Sequence, residues 1–241
     1  MSGPPRHACT WGHEDRGRKG RPSGIRGTIA RVTRASIRSL ELSPEIVRLT
    51  LERGDSFDVS LRAYPRLASA TLEQLGRYEL VDERCGVIWP ELSNVSQFGM
   101  MNAWDLLWEQ RCNQALAHLK AAKHALDTLS EDDQDVVALW RTEADVNNGG
   151  FLQFFGNWAD PICTRALSAL ASVGATKMHA ILSEMRAVLD RLDRSPETIP
   201  LSAIPRHLTA DEYAELQRLD RAFWKYPDRL SKLAVSRYCP R

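Results

Sequence analysis

No stretch of this chain reaches 18 consecutive apolar residues, so nothing in it predicts a membrane-spanning helix. The N-terminus has no apolar core of the signal-peptide kind, which argues against export. Cysteine is scarce. Cys9, Cys85, Cys112, Cys163 and Cys239 are odd in number, far apart and form no CxxC pair. That pattern excludes a disulfide framework or a zinc site and suits a reduced, cytoplasmic setting. His7, Cys9 and His13 lie close together, but three ligands in glycine-rich flanks make no metal site. Catalytic signatures are missing too: no GxSxG, HExxH, P-loop or GxGxxG occurs, and the six histidines form no i, i+4 pair. No metal, cofactor or catalytic residue is predicted. At a net charge of +1, no global field recommends nucleic acid or a membrane as partner.

The charge that is present sits unevenly. Residues 1–38 hold nine Lys or Arg against two acids, whereas residues 101–241 hold 17 basic and 19 acidic groups, a balance of −2. Residues 1–28 are rich in Gly, Pro, Arg and His and bury little besides Trp11, which predicts a disordered basic tail. Its run RGRKGRPSGIR, residues 16–26, reads either as a solvated tail or as a contact for nucleic-acid phosphates.

With 43% apolar residues, the remainder can build true cores. Residues 29–92 alternate with period two and predict a small α+β module. ASIRSLEL, EIVRLTLE and FDVSLRA are its first strands, with Val47, Leu49 and Leu51 opposite Ile46, Arg48 and Thr50. Arg53-Gly54-Asp55-Ser56 predicts the hairpin turn between the second and third. One short helix near Thr71–Leu75 and the strands RYELV and GVIWPEL follow.

SNVSQFGMMN, residues 93–102, predicts a linker, after which the period changes to 3.6. Residues 103–239 predict an all-α domain of six or seven helices. Trp104, Trp108, Cys112, Ala115, Leu119, Ala122 and Leu126 form the first stripe. Ser130 with Asp133 caps the second helix, and Val136, Leu139, Trp140 and Val146 mark its buried face. Asp160-Pro161 predicts a further helix start, and Gly174 a helix end. Thr209 with Glu212 caps a later helix, and Pro227 opens the last. The fold class is α+β: antiparallel strands with one short helix, then an all-α domain.

DVNNGG, residues 145–150, runs directly into FLQFFGNW, residues 151–158. Paired glycines at a helix start expose N–H groups that can hold an anion. Equally, a glycine at positive φ can end the helix begun near residue 131 and turn a corner. Phe151, Phe154, Phe155 and Trp158 fall at i, i+3, i+4 and i+7, a face that predicts core. Asn147, Asn148, Gly149, Gly150, Gln153 and Asn157 are the candidate partner-binding residues, open to a structural, protein-binding or small-ligand role.

Two sets of motifs carry family resemblances. Tyr64-Pro65-Arg66-Leu67, Ala70-Thr71, Gln74, Tyr78-Glu79-Leu80, Gly86 and Trp89-Pro90-Glu91-Leu92 resemble domain-of-unknown-function family 2442. This resemblance implies a bacterial α+β module of a kind often encoded as an antitoxin. Ile88 and Ser93-Asn94-Val95-Ser96 depart from that family's usual His and acidic cluster. Ala103-Trp104-Asp105, Ala138-Leu139-Trp140, Glu143, Val146–Phe151, Gln153-Phe154-Phe155, Asn157 and Phe223-Trp224 resemble family 4375. Its best-known branch comprises DNA-mimic proteins, which implies a helical domain that occupies a DNA-binding regulator. The combined expectation is a non-catalytic, cytoplasmic bacterial interaction protein with a protein partner, a toxin or a DNA-binding regulator. Nucleic-acid contact through the tail and an enzyme without a recognisable motif are the competing classes.

Overall fold

A computed structural model describes residues 35–92, 97–193 and 201–239. The expected tail, its basic run, the His7/Cys9/His13 group and residues 93–96 lie outside the described residues. The chain divides into two compact units, Met1–Ala103 and Trp104–Arg241.

In the first unit, β1 (Ile37–Leu42), β2 (Ile46–Leu51) and β3 (Ser56–Ser60) form an antiparallel sheet in that order. Alternation decides which face is buried: Val47, Leu49 and Leu51 are enclosed, and their neighbours Ile46 and Arg48 are exposed. The turn between β2 and β3 puts Gly54 at φ +101°, a conformation that strains residues with a Cβ. Two short helices follow rather than one, α1 (Pro65–Ala68) and α2 (Leu72–Gly76). Thr71 and Gln74 form a reciprocal capping box on α2.

The second sheet is β4 (Glu79–Val81), β5 (Gly86–Ile88) and β6 (Met101–Asn102). The expected linker therefore needs correction at its far end. Gly86 pairs with Asn102 and Val87 with Met101, because β5 has a free edge to satisfy. A Cβ on Gly86 would lie 2.2 Å from the Phe98 carbonyl oxygen, which explains why glycine stands in that motif. The motif's Trp89 is fully buried and donates its Nε1–H to the Leu75 carbonyl at 2.7 Å, fastening α2 beside β5. Among the family residues of this module, Leu67, Gly86 and Trp89 are thus packing residues.

The second unit contains six α-helices among the described residues. They are α3 (Ala103–Ala121), α4 (Glu131–Val173), α5 (Thr176–Asp193), α6 (Ile204–His207), α7 (Ala210–Phe223) and α8 (Leu230–Tyr238). Trp104, Trp108, Cys112, Ala115 and Leu119 of the first stripe are buried, but α3 stops before Ala122 and Leu126. Ser130 caps α4 by accepting from the Asp133 N–H at 3.2 Å, and Thr209 with Glu212 caps α7 reciprocally. Gly174, at φ +77°, closes α4 with the Ala175 N–H on the Leu170 carbonyl at 2.9 Å.

Two boundaries differ from expectation. α4 does not restart at Asp160-Pro161 and holds Pro161 inside it. At NNGG the chain does turn the expected corner: Arg165 reaches Asp135 at 2.5 Å and the Glu131 carbonyl at 2.8 Å, although 30 residues of straight helix would span about 45 Å. A proline there removes one helical N–H, a local loss that a helix packed along its length against α5, α7 and α8 survives. α8 begins at Leu230 rather than Pro227; Asp228 instead accepts from the Lys177 and Met178 N–H groups at 2.7 and 2.8 Å, satisfying the start of α5.

Candidate functional site

Gly150 sits at φ +76° in the middle of α4. The positive φ expected of the glycine pair is there, and it makes the bend at which α4 folds back on itself, bringing Arg165 onto Asp135 and Trp158 onto Asp145. The following N–H, of Phe151, donates to Asp220 Oδ1 of α7 at 2.8 Å, so a distant carboxylate does the work of a local cap. A Cβ on Gly150 would lie 2.5 Å from the Asp220 carboxylate, so this glycine is needed twice, for its φ and for its bareness. Gly149 is different: a Cβ there would meet only the flexible Gln153 side chain. Burial raises the Asp220 carboxyl above the ordinary range, opposed by the Phe151 N–H and by the charge of Arg221.

The aromatic face behaves as the periodicity predicts, with one exception. Phe151, Phe154 and Phe155 are buried, and Phe151 meets Phe223 edge-on at 5.5 Å between centroids. Such a pair contributes about 1 kcal/mol beyond its burial. Trp158 is only half-buried; Arg141 lies over its ring at 3.8 Å and its Nε1–H donates to Asp145.

The candidate polar residues separate into three groups. Gln153 and Asn157 both donate to the Asp145 carboxylate, at 3.0 and 3.1 Å, joining Trp158 there. Asn147 donates to the Tyr226 hydroxyl at 2.6 Å, while its buried Oδ1 has no partner among the described residues. Asn148 and Gly149 are exposed, and Gly149 lines a cleft of about 350 Å³ with Leu152, Tyr213, Asp220, Arg221 and Trp224. Of the six candidates, Asn147, Gln153 and Asn157 are hydrogen-bonded within the domain, Asn157 from an exposed position. Residues outside the candidate set organise the region: Asp145, at the head of the same stretch, and Asp220 and Tyr226, far along the sequence. No local spacing connects residue 150 to residue 220; only Phe223-Trp224, in the family motif, pointed to α7.

Behind Asn147 lies a buried polar chain. Trp108 Nε1–H donates to Glu143 Oε2 at 2.8 Å, and Tyr226 bonds the same carboxyl. Burial pushes the Glu143 carboxyl up to about 7 against the Trp108 bond, with Asp105 adding to the rise and Tyr226 opposing it. A raised carboxyl can serve as a general acid, but it needs a cavity at its side for substrate, and the cleft is lined by other residues. Among the described residues no group of three His, Cys, Asp or Glu is placed to hold a metal ion.

Carboxylates near the start of α4 are answered by cations. Asp133 meets Arg111 at 2.7 Å and His118 at 2.8 Å, Asp135 meets Arg165 at 2.5 Å, and Asp132 meets Arg237 at 3.4 Å. On α7, Glu212 pairs with Arg191 at 2.8 Å, and Glu215 shares Arg218 with Glu184.

Fold and site together define a helical domain that follows a small antiparallel module in the sequence, and comparison with known proteins finds a family model similar to each. Residues 127–240 match the family model described as DMP19-like protein, and residues 37–93 match that described as Protein of unknown function (DUF2442). Both matches fall where the motifs indicated a resemblance, one in the helical domain and one in the first module. No curated protein and no solved structure matches the chain. The DMP19-like match begins after α3, yet Trp108 of α3 supplies the donor to Glu143 inside the matched region.

Proposed function

We propose that this chain is a non-catalytic bacterial interaction protein of the cytoplasm whose helical domain engages a DNA-binding protein. The DMP19-like match over residues 127–240 carries the reading. The antitoxin-like module supplies a second protein contact. Cys85, Cys112, Cys163 and Cys239, none in a disulfide, suit the cytoplasm, and no helix among the described residues is long and apolar enough to cross a membrane.

The mode of engagement differs from simple imitation of phosphates. Duplex DNA presents a charge about every ~1.7 Å, so a mimic needs a long row of uncompensated carboxylates. Here the two acid-rich segments are tied to Arg111, Arg165, Arg237, Arg191 and Arg218. Recognition accordingly rests on shape and mixed polarity around the VNNGG segment. The test is capture on immobilised full-length chain from its native cells, with the retained proteins identified. A DNA-binding protein is expected, released by competing duplex DNA but only weakly by raising salt from about 50 to about 200 mM. A retained set without any DNA-binding protein would overturn the proposal, as would substrate turnover abolished by Glu143→Gln.

A further inference from the structure

The cleft between α4 and α7 combines three features. Its aromatic wall is Tyr213 and Trp224, exposed at 45% and 39%. Trp224 is held in place, because its Nε1–H donates to the Val146 carbonyl at 2.9 Å while the ring stays open to solvent. Asp220 lies between them, with Oδ1 on the Phe151 N–H and Oδ2 bonded to nothing among the described residues. At about 350 Å³ the space is at the small end of ligand pockets and suits one long side chain.

Four other rings of this domain lie under its own cations. Arg141 lies 3.8 Å from the Trp158 centroid, Arg237 5.1 Å from Tyr238, Arg186 5.3 Å from Phe155 and Lys232 5.8 Å from Trp104. Trp224 and Tyr213 carry no such cation among the described residues. The geometry points to a receptor for one arginine side chain of the protein partner, its charge on Asp220 and its flat face on Trp224. This deepens the protein-interaction reading and rests on it for the source of the arginine. A guanidinium is favoured because its plane stacks on an indole while its edge still donates to a carboxylate. Surfaces that bind DNA are rich in such arginines, so a DNA-binding partner brings the required group. Arg221, exposed at the rim, opposes the incoming charge and sets the affinity below what Asp220 alone would give.

The experiment follows the Trp224 indole N–H by NMR in the full chain, assigned by its loss in Trp224→Phe. N-acetyl-arginine amide is titrated in, with N-acetyl-norleucine amide as the neutral control. The arginine compound is expected to shift the resonance saturably and norleucine to leave it unmoved. Asp220→Asn, which keeps the acceptor for Phe151, should weaken the response roughly tenfold. Tyr213→Ser, at an exposed position, should weaken it less, and Arg221→Gln should strengthen it. Equal shifts with both compounds, no shift with either, or an undiminished response in Asp220→Asn each overturn the proposal. So does a full chain that responds only once Arg16, Arg18, Lys19, Arg21 and Arg26 are all changed to Gln, since the occupant is then the chain's own tail. None of these failures affects capture of a DNA-binding protein, so the two readings fail separately.

Discussion

At the start of α4, Asp132 and Asp133 face arginines of α8 and α3, and Asp135 faces Arg165 from beyond the Gly150 bend; in its middle, Asp145 takes hydrogen bonds from Gln153, Asn157 and Trp158 across that bend. Both stretches invite a functional reading on sequence, one as a phosphate-like row and the other as a binding loop. Both turn out to consume most of their polarity internally. The difference is range. The first stretch ties α4 to α3, to α8 and to its own returning limb through charge, while the second closes the bend at Gly150, where the Phe151 N–H is met by Asp220 of α7. Polar residues crowded in sequence are thus poor markers of a contact surface. The open groups are the ones whose neighbours come from far away.

The largest test of the bend is Gly150→Val. A β-branched residue at φ +76°, with its Cβ against the Asp220 carboxylate, should cost about 4 kcal/mol and lower the Tm by roughly 10 °C. An unchanged melting curve would mean that the bend is not required. Gly149→Val, which meets only the Gln153 side chain, should cost far less and serves as its control.

Asp133→Asn breaks the charged stretch instead. It leaves Arg111, only 10% exposed at its side chain, without its carboxylate and should cost about 3 kcal/mol. Burial raises the Asp133 carboxyl, but bonds from His118 and Arg111 outweigh it and hold the group below 3.8. Its stabilisation is therefore present above pH 3.8 and lost as the pH falls through the lower folded value. Denaturation curves of the wild type and the variant should converge on acidification.

Glu143 gives the opposite sign. Its carboxyl is raised from 4.5 to about 7, so the folded chain binds the extra proton and stability declines as the pH rises between those values. Glu143→Gln keeps an acceptor for Trp108 and should stabilise the protein by about 2 kcal/mol at pH 8, with no gain near pH 4.5. A pH-independent difference would show that burial does not govern this group. The smallest effect is expected at exposed Asn148, where Ala should change stability by less than about 0.5 kcal/mol and any loss should appear only in partner capture.

Much of the fold is legible where the signal is local. The period-two pattern of Val47, Leu49 and Leu51 places them inward, and the Thr71, Ser130 and Thr209 caps mark helix starts, because these depend on residues within one turn. Legibility fails at Asp160-Pro161, where a local start signal is overridden by packing along α4. It fails again at residues 101–102, where the unpaired edge of β5, 15 residues earlier, recruits what reads as a linker. In the candidate site the buried aromatics and the left-handed glycine are visible in the sequence. The bonds that employ Asn147, Gln153 and Asn157 are not.

The sequence by itself determined two modules of different periodicity, their family motifs, the glycine that must adopt positive φ and the aromatics that must be buried. Each of these follows from steric limits and hydrophobic spacing within a few residues. Tertiary structure alone decided that Asp220 would satisfy Phe151, that the acid row would be neutralised by arginines, and that Tyr213 and Trp224 would flank an open carboxylate. Those outcomes depend on contacts between residues tens of positions apart, which no local pattern specifies.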